Sequence, residues 1–432
     1  MASLAKREWV PAAAESLVQQ VASSVGPDVL AELDRLVALN HQIHDVDTIN
    51  LNPATNVMNP RAEAMLSKGL GSRPSLGYPG EKYEMGLEAI EQIEVIAAEL
   101  VAEVFGARYA EVRVPSGAIA NLYAFLATCE PGDTIIAPPP SIGGHVTHHL
   151  GGSAGMYRLK TVPHVVDASR YSVDASALRE LAHRVKPRVI TVGQSLNLTE
   201  HPVAAVREIA DEVGAFVLFD AAHACGLIAG GVWANPLDEG AHMMTFSTYK
   251  SLGGPAGGVV VTNDAEIAER LDHIAYPGLT ANFDAAKTAA LAVTMVDWKS
   301  VGAQYAEMMV ANSLALAAAL ESRGLPLYST SIGPTSTHQF AVVTPGGGQA
   351  ASQKLRRANL LACGIGLPLD PVEGDTNGLR LGTPEITRLG MQPEHMPALA
   401  DFIVRGLGDN PESVAPEVTA WRRQFSGVHY IA

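Results

Sequence analysis

Short apolar runs alternate with amphipathic helical stretches along most of this chain, and that alternation constrains the fold more than any other feature. The runs are Glu111–Val114, Thr134–Ala137, Arg188–Gly193, Ala215–Phe219, Met243–Ser247 and Gly258–Val261. Between two of them, Val203, Val206, Ile209 and Val213 recur at helical spacing, so Val203–Gly214 reads as one helix with one apolar face, stopped by Gly214. Strand and helix repeated in this way predict an α/β fold built on a mostly parallel sheet. Ligands gather beyond the carboxyl ends of such strands, which singles out Asp220 at the end of AFVLFD.

A chain of 432 residues is long enough for about two or three domains. Residues 1–65 read as an N-terminal arm, 66–295 as a large ligand-binding domain and 296–432 as a smaller α/β domain. GYPG at Gly77–Gly80 is a turn before the amphipathic run Leu87–Phe105. A long helical stretch at Ala285–Ser322 leads to strand candidates Gln339–Val343 and Gly378–Leu381 and a helix around Gln349–Leu361. The formal charge of −15 argues against a diffuse grip on nucleic acid or an anionic membrane. Cys129, Cys225 and Cys363 lie far apart, without redox or zinc spacing, which fits a reducing compartment. The N-terminal stretch lacks the pattern of an export signal, so the expectation is a cytoplasmic protein with no membrane partner.

The chemistry concentrates in MMTFSTYKSLGGPAGG, Met243–Gly258, where an apolar strand opens onto hydroxyls, Lys250 and a glycine-rich turn. Alone, Lys250 reads as a surface-loop lysine. Near apolar walls, however, a lysine can lose its proton and form a Schiff base with an aldehyde. Asp220 and His223 in FDAAHACG stand one strand unit upstream and could meet it at the same sheet edge. Pyridoxal phosphate needs such a set: a carboxylate for the pyridine nitrogen, a lysine for the aldehyde, and donors at a helix start for the phosphate. Ser116 and Gly117 in VPSGAIAN are the phosphate candidates, and His145 in GGHVTHH could lie on a flat ring. No nearby carboxylate or cysteine completes a zinc site around those histidines, so no metal is predicted. Arg380 in GLRLGTPEITRLG could grip a carboxylate with both arms of its fork.

These stretches resemble serine hydroxymethyltransferase and its relatives, pyridoxal-phosphate enzymes of fold type I, the aspartate aminotransferase superfamily. The matching segments run from about Asn50 to Gly390: GYPG, the Ser116–Gly117 step, EPGDT at Glu130, GGHVTH, DAAHACGL, the Lys250 block, and RLGTPEITR at Arg380. The resemblance implies a seven-stranded large-domain sheet and a smaller C-terminal domain. It further implies that Lys250 carries the cofactor, Asp220 pairs with its pyridine nitrogen, and His145 stacks on the ring. Ser195, His223 and Ser247 join the cofactor contacts, Ser116, Gly117 and Ala118 take the phosphate, and Arg380 takes the substrate carboxylate, with Ala54 and Tyr83 nearby. In relatives two subunits build each site, so the resemblance also implies a homodimer or higher homo-oligomer, with Gly278 and the GYPG turn reaching the partner.

The departures from the family pattern bear on the reaction. PSLGYPG stands where relatives have YAEGYPG, so Leu76 replaces an acid/base glutamate and Pro74 a tyrosine. Ala54–Thr55–Asn56 replaces a serine–glutamate–asparagine run, Glu84 replaces a tyrosine, Tyr249 a histidine, and Ala256 an arginine. Leucine cannot exchange a proton, so acid/base work falls to His145, Tyr83, Glu84, Lys250 or water. Glu84 is the first candidate, with Glu81 and Glu88 as neighbours. The expected function is folate-independent aldol cleavage or synthesis of a β-hydroxy-α-amino acid, of threonine, serine or α-methylserine type, from an aldehyde plus glycine or alanine. The rivals are folate-dependent hydroxymethyltransfer with serine or 2-methylserine, another reaction at Cα such as racemisation, decarboxylation or oxygen consumption, and a non-catalytic pyridoxal-binding protein.

Overall fold

The computed structural model describes residues 5–73 and 75–432. Residues 1–4 and Pro74, the position where the resemblance implies a tyrosine, lie outside the described residues. Seven strands form the central sheet: β1 (Tyr109–Val114), β2 (Thr134–Ala137), β3 (Lys160–Pro163), β4 (Val189–Val192), β5 (Phe216–Asp220), β6 (Met243–Ser247) and β7 (Gly258–Thr262). Their spatial order is β1-β7-β6-β5-β4-β2-β3. All neighbours run parallel except β7, which is antiparallel to both β6 and β1. The sheet is therefore the mostly parallel, seven-stranded one expected. Strands β4 and β6 are buried at every position, which is why they read as continuous apolar runs rather than alternating ones.

Strand β3 was not foreseen. Its sequence, KTVP, pairs on one side only, and a lysine and a proline suit an edge strand while hiding it from a search for apolar runs. The sequence reading also carried one helix too far. The helix of Gly348–Arg357 ends before Asn359, whose φ is +58°, and Leu360–Leu361 instead pair in parallel with Ile49–Asn50 of the N-terminal arm. The second sheet holds β8 (Gln339–Val343), β9 (Cys363–Ile365) and β10 (Gly378–Gly382), all antiparallel with β10 central. Strand β9 was likewise missed, being short and glycine-containing.

Two helices position the site. Helix α1 (Gly117–Thr128) begins where β1 ends, with Ser116 as its cap: the hydroxyl accepts from Ile119 N–H at 3.2 Å. Helix α2 (Ala285–Glu321) runs 37 residues without interruption. The expected junction at 295/296 falls inside it, so we propose the same three-part division with this helix as the shared spine. In its first half, Asp297 is 2% exposed and collects three donors: Arg388 Nη2 at 3.0 Å, Asn59 Nδ2 at 2.9 and 3.1 Å to its two oxygens, and Ala432 N–H at 2.9 Å. The arm, the spine, the small domain and the C-terminal segment thus meet at one buried carboxylate. Beside it, Tyr305 accepts from Asn56 Nδ2 and donates to the Pro384 carbonyl.

Removing one partner of a buried, hydrogen-bonded ion pair strands the other charge, at a cost of about 3–5 kcal/mol. Asp297→Ala is therefore expected to lower the unfolding free energy by about that much in a urea titration. A shift below about 1 kcal/mol, the range of a surface ion pair, would remove Asp297 from this structural role.

Candidate active site

Loops leaving the carboxyl ends of β1, β2, β4, β5 and β6 converge on one cavity of about 100 Å³. Its walls include Ser116, Gly117, Ala118, His145, Ser195, Asp220, His223, Ser247 and Lys250, all of them anticipated from the sequence. Close packing here depends on a missing side chain. A Cβ at Gly117 would lie 2.1 Å from Ser247 Oγ, so only glycine lets the start of α1 sit against the end of β6. The first N–H groups of α1 have no partners within the helix, which makes this corner receptive to an anion.

Asp220 ends β5 and is held from three sides. Its Oδ2 accepts from Asn121 Nδ2 at 3.0 Å and meets His148 Nε2 at 2.8 Å, while Oδ1 accepts from Ala222 N–H at 3.0 Å. Burial works against the charge, but the His148 hydrogen bond and the neighbouring imidazoles outweigh it and hold the carboxyl well below the usual carboxylate range. His148 had been noticed only as part of a histidine run. Its position, three residues after His145 on a short helical turn, was the available signal. Asn121 lay within the VPSGAIAN segment and recurs one helical turn beyond Gly117, on the face that looks at β5.

Lys250 follows β6 and is 7% exposed. Asn56 Nδ2 fixes its carbonyl at 3.1 Å, and its Nζ lies 3.2 Å from His223 Nε2. Arg380 Nη1 approaches the same nitrogen at 3.5 Å, so His223 Nε2 faces two donor groups and serves them as an acceptor. Burial and the two nearby cations keep that imidazole far below its ordinary pKa, hence neutral. His145 is also pushed down, by burial above all, and its Nδ1 accepts from Thr147 N–H at 3.3 Å and meets the Thr147 hydroxyl at 2.8 Å.

Arg380 is 6% exposed on β10, and among the described residues no carboxylate lies within ion-pair distance of it. Its Nη1 donates to the Ser195 carbonyl, and its Nε and Nη2 both point at Cys363 Sγ. Gln194 and Ala222, which the sequence reading did not place in the site, complete the cavity wall together with Tyr249, which it had marked as a departure from the family pattern.

Four anticipated residues, Ala54, Tyr83, Glu84 and Gly278, do not line the cavity within one chain. Tyr83 is 78% exposed, Glu84 accepts from Leu76 N–H at 3.3 Å, and Gly278 is exposed on the segment after the helix Ala265–His273. Ala54 lies in the arm, its N–H donating to Asn52 Oδ1 at 3.1 Å. The histidines of GGHVTHH take separate partners, and among the described residues no group of three or more His, Cys, Asp or Glu could hold a metal ion. Nor is any described helix long and apolar enough to cross a membrane.

Comparison with known proteins adds an independent finding. The family profile described as serine hydroxymethyltransferase matches residues 31–403. An alpha-methylserine aldolase of Variovorax paradoxus is 62% identical over 436 residues, spanning 100% of this chain and 99% of its own. One from a Ralstonia species is 58% identical over 433 residues, spanning 98% of this chain and 99% of its own. A serine hydroxymethyltransferase of Pyrobaculum arsenaticum is 36% identical over 407 residues, spanning 94% and 95%.

Burial is the dominant influence on Lys250 and pushes its pKa down to about 8, with Asp220 opposing and Arg380 assisting. An unfolded lysine titrates near about 10.4. The unfolded chain therefore holds the proton more tightly, and the resulting penalty on folding is complete below the folded value and disappears as the pH rises through the unfolded one. Lys250→Met removes the titrating group, so the polypeptide without ligands is expected to gain about 3 kcal/mol at pH 7. The gain should shrink above about pH 8. Urea titrations across that range check the sign, and a gain that is absent or independent of pH would contradict a buried, proton-shedding lysine.

Proposed function

The chain belongs to the serine hydroxymethyltransferase family, and from that premise we propose that it is a pyridoxal-phosphate enzyme that cleaves and forms β-hydroxy-α-amino acids of the α-methylserine type without folate. The observation that carries this reading is the bridge made by His223, which sets the aldehyde-reactive Lys250 and the carboxylate-free Arg380 on one imidazole nitrogen, at 3.2 and 3.5 Å. That spacing suits a ligand with amine and carboxylate on one carbon. Full-length identity of 62% to an alpha-methylserine aldolase supports the reaction class.

The residues present fit the cofactor. Lys250 sheds its proton near neutrality, at about 8, and so is a competent nucleophile for an aldehyde. Asp220 stays ionised and can hold a proton on a ring nitrogen. The glycine-lined start of α1, with Ser116 and Ser247 beside it, offers N–H and O–H donors to a phosphate. When bound, pyridoxal phosphate supplies an electron sink for the bonding pair released as Cα–Cβ breaks.

The remaining work falls to the chain. Arg380 orients the substrate by its carboxylate, and Asn56 holds the Lys250 loop still through its carbonyl. Glu84 is our acceptor for the β-hydroxyl proton, whose departure lets Cβ leave as an aldehyde. Lys250 Nζ holds the proton that Cα then takes up, and α-methylserine yields formaldehyde and alanine. Leu76, where relatives keep a glutamate, closes the family's folate-linked route and leaves Glu84 attached to its N–H. Tyr83, Glu84 and Gly278 lie outside the cavity of their own chain, so we propose that they act in a second copy's cavity. The N-terminal helix Val29–His41 supports such an assembly: none of its residues is buried, and Leu30, Leu33 and Val37 are more than half exposed.

Two experiments test this reading. In folate-free buffer, the purified protein with pyridoxal phosphate is expected to convert α-methylserine to formaldehyde and alanine at a rate that added tetrahydrofolate leaves unchanged. Turnover that depends on tetrahydrofolate would instead establish the hydroxymethyltransferase rival. The second is subunit complementation. Lys250→Met and Glu84→Gln should each be nearly inactive, yet dissociated and mixed they should recover roughly a quarter of wild-type activity, since half the dimers are mixed and each has one intact site. No recovery would place Glu84 in the site of its own chain or outside catalysis.

A further inference from the structure

Arg380 has five N–H donors in one plane, and its neighbours engage its side edge and its Nη1. Cys363 stands directly opposite Arg380 in the β9–β10 register. Its Sγ takes Nε at 3.3 Å and Nη2 at 3.1 Å, which is the side edge of the guanidinium. The Ser195 carbonyl takes Nη1 from the other side. Nη1 also lies 3.5 Å from His223 Nε2, so what remains at the end of the fork is one N–H of Nη2 and an N–H of Nη1 that meets only this long contact. Cys363 is also a donor: its thiol points at Asn52 Oδ1, 3.3 Å away, and that oxygen accepts from Ala54 N–H. Asn52 is tied in turn, through its own N–H, to Asn50 Oδ1 at 2.9 Å, and Asn50 Nδ2 donates to the buried Glu385 at 2.6 Å.

We propose that Cys363 is a positioning residue that occupies the side edge of Arg380 and thereby dictates that a substrate carboxylate binds end-on, across Nη1 and Nη2. The inference rests on the reading of Arg380 as the carboxylate receptor. A thiol suits the task because it fills the edge without the full negative charge of a carboxylate, which would neutralise the guanidinium and compete with the substrate. It also couples the fork to the arm, because one sulfur contacts both Arg380 and Asn52. Without the sulfur, Arg380 keeps its charge but loses the contact that fixes its plane, so the loss falls on substrate binding rather than on the chemical step.

The test uses the holoprotein, with DL-alanine and DL-alaninamide as probes, the amide lacking the anionic carboxylate. Dissociation constants are read from the change in cofactor absorbance on titration, and KM and kcat from α-methylserine cleavage. Cys363→Ala is expected to weaken alanine binding and raise KM by about tenfold, with kcat changed less than about threefold and alaninamide binding unchanged. Cys363→Ser, which can accept and donate at the same place, should recover most of that loss. Cys363→Asp should abolish alanine binding while leaving the amide's intact. An alanine dissociation constant in Cys363→Ala within twofold of wild type, alongside lost affinity in Arg380→Ala, overturns this inference alone. Unchanged alanine affinity in Arg380→Ala overturns both the inference and the receptor reading. A Cys363→Ala variant that loses alanine and alaninamide equally marks Cys363 as merely structural and also overturns it.

Discussion

Two cations, Lys250 and Arg380, are buried within reach of one imidazole, and the carboxylate that acts on Lys250, Asp220, is already engaged by His148 and Asn121. Isolated charges in a protein interior are costly unless something solvates or neutralises them. This chain meets the cost differently at each. Lys250 sheds its proton readily. Arg380, which cannot, is solvated by a backbone carbonyl and a sulfur. His223 stays neutral because a third positive charge there would be intolerable. The surrounding architecture follows from keeping these groups apart from solvent yet open to a small zwitterion. The parallel strands bring their carboxyl ends to one rim, the arm supplies Asn56 under the lysine loop, and the small domain carries the arginine in on its central strand.

Much of this was legible in the sequence because each chemical group sits at a strand exit that announces itself. Asp220 ends an apolar run, Lys250 follows another, and Ser116 caps a helix after a third. What could not be read was anything depending on register between distant segments. Cys363 faces Arg380 only because β9 and β10 pair at that step, and β9 is too short to leave a periodic trace. His148 was masked by its neighbours: in a run of histidines, sequence does not say which ring meets Asp220. The edge strand β3 was missed because lysine and proline, the residues that protect an edge, are also those that argue against a strand.

The family template accounts for the cavity more completely than for the loop around Leu76. The cavity is an assembly of short contacts among buried residues, and such contacts tolerate little change. The hairpin that bears Leu76 and Glu84 is a surface feature, held to the body by Lys82, which donates to the Gly77 carbonyl at 2.9 Å and pairs with buried Glu94 at 2.6 Å. Its anchor is firm while its tip is exposed. Substitution at that exposed tip can thus occur away from the short contacts that hold the cavity together.

The long helix α2 makes the opposite demand. Trp298 near one end donates to the Leu252 carbonyl in the lysine loop, and Asn312, farther along, donates to Thr387 and to the Met391 carbonyl in the small domain. Adding or removing one residue between these points would turn everything beyond it by about 100°. Anchors at both ends would then face the wrong neighbours together. A lineage carrying this helix is free to exchange residues along its outer face, but its length between those anchors is effectively a counted quantity, inherited as an integer.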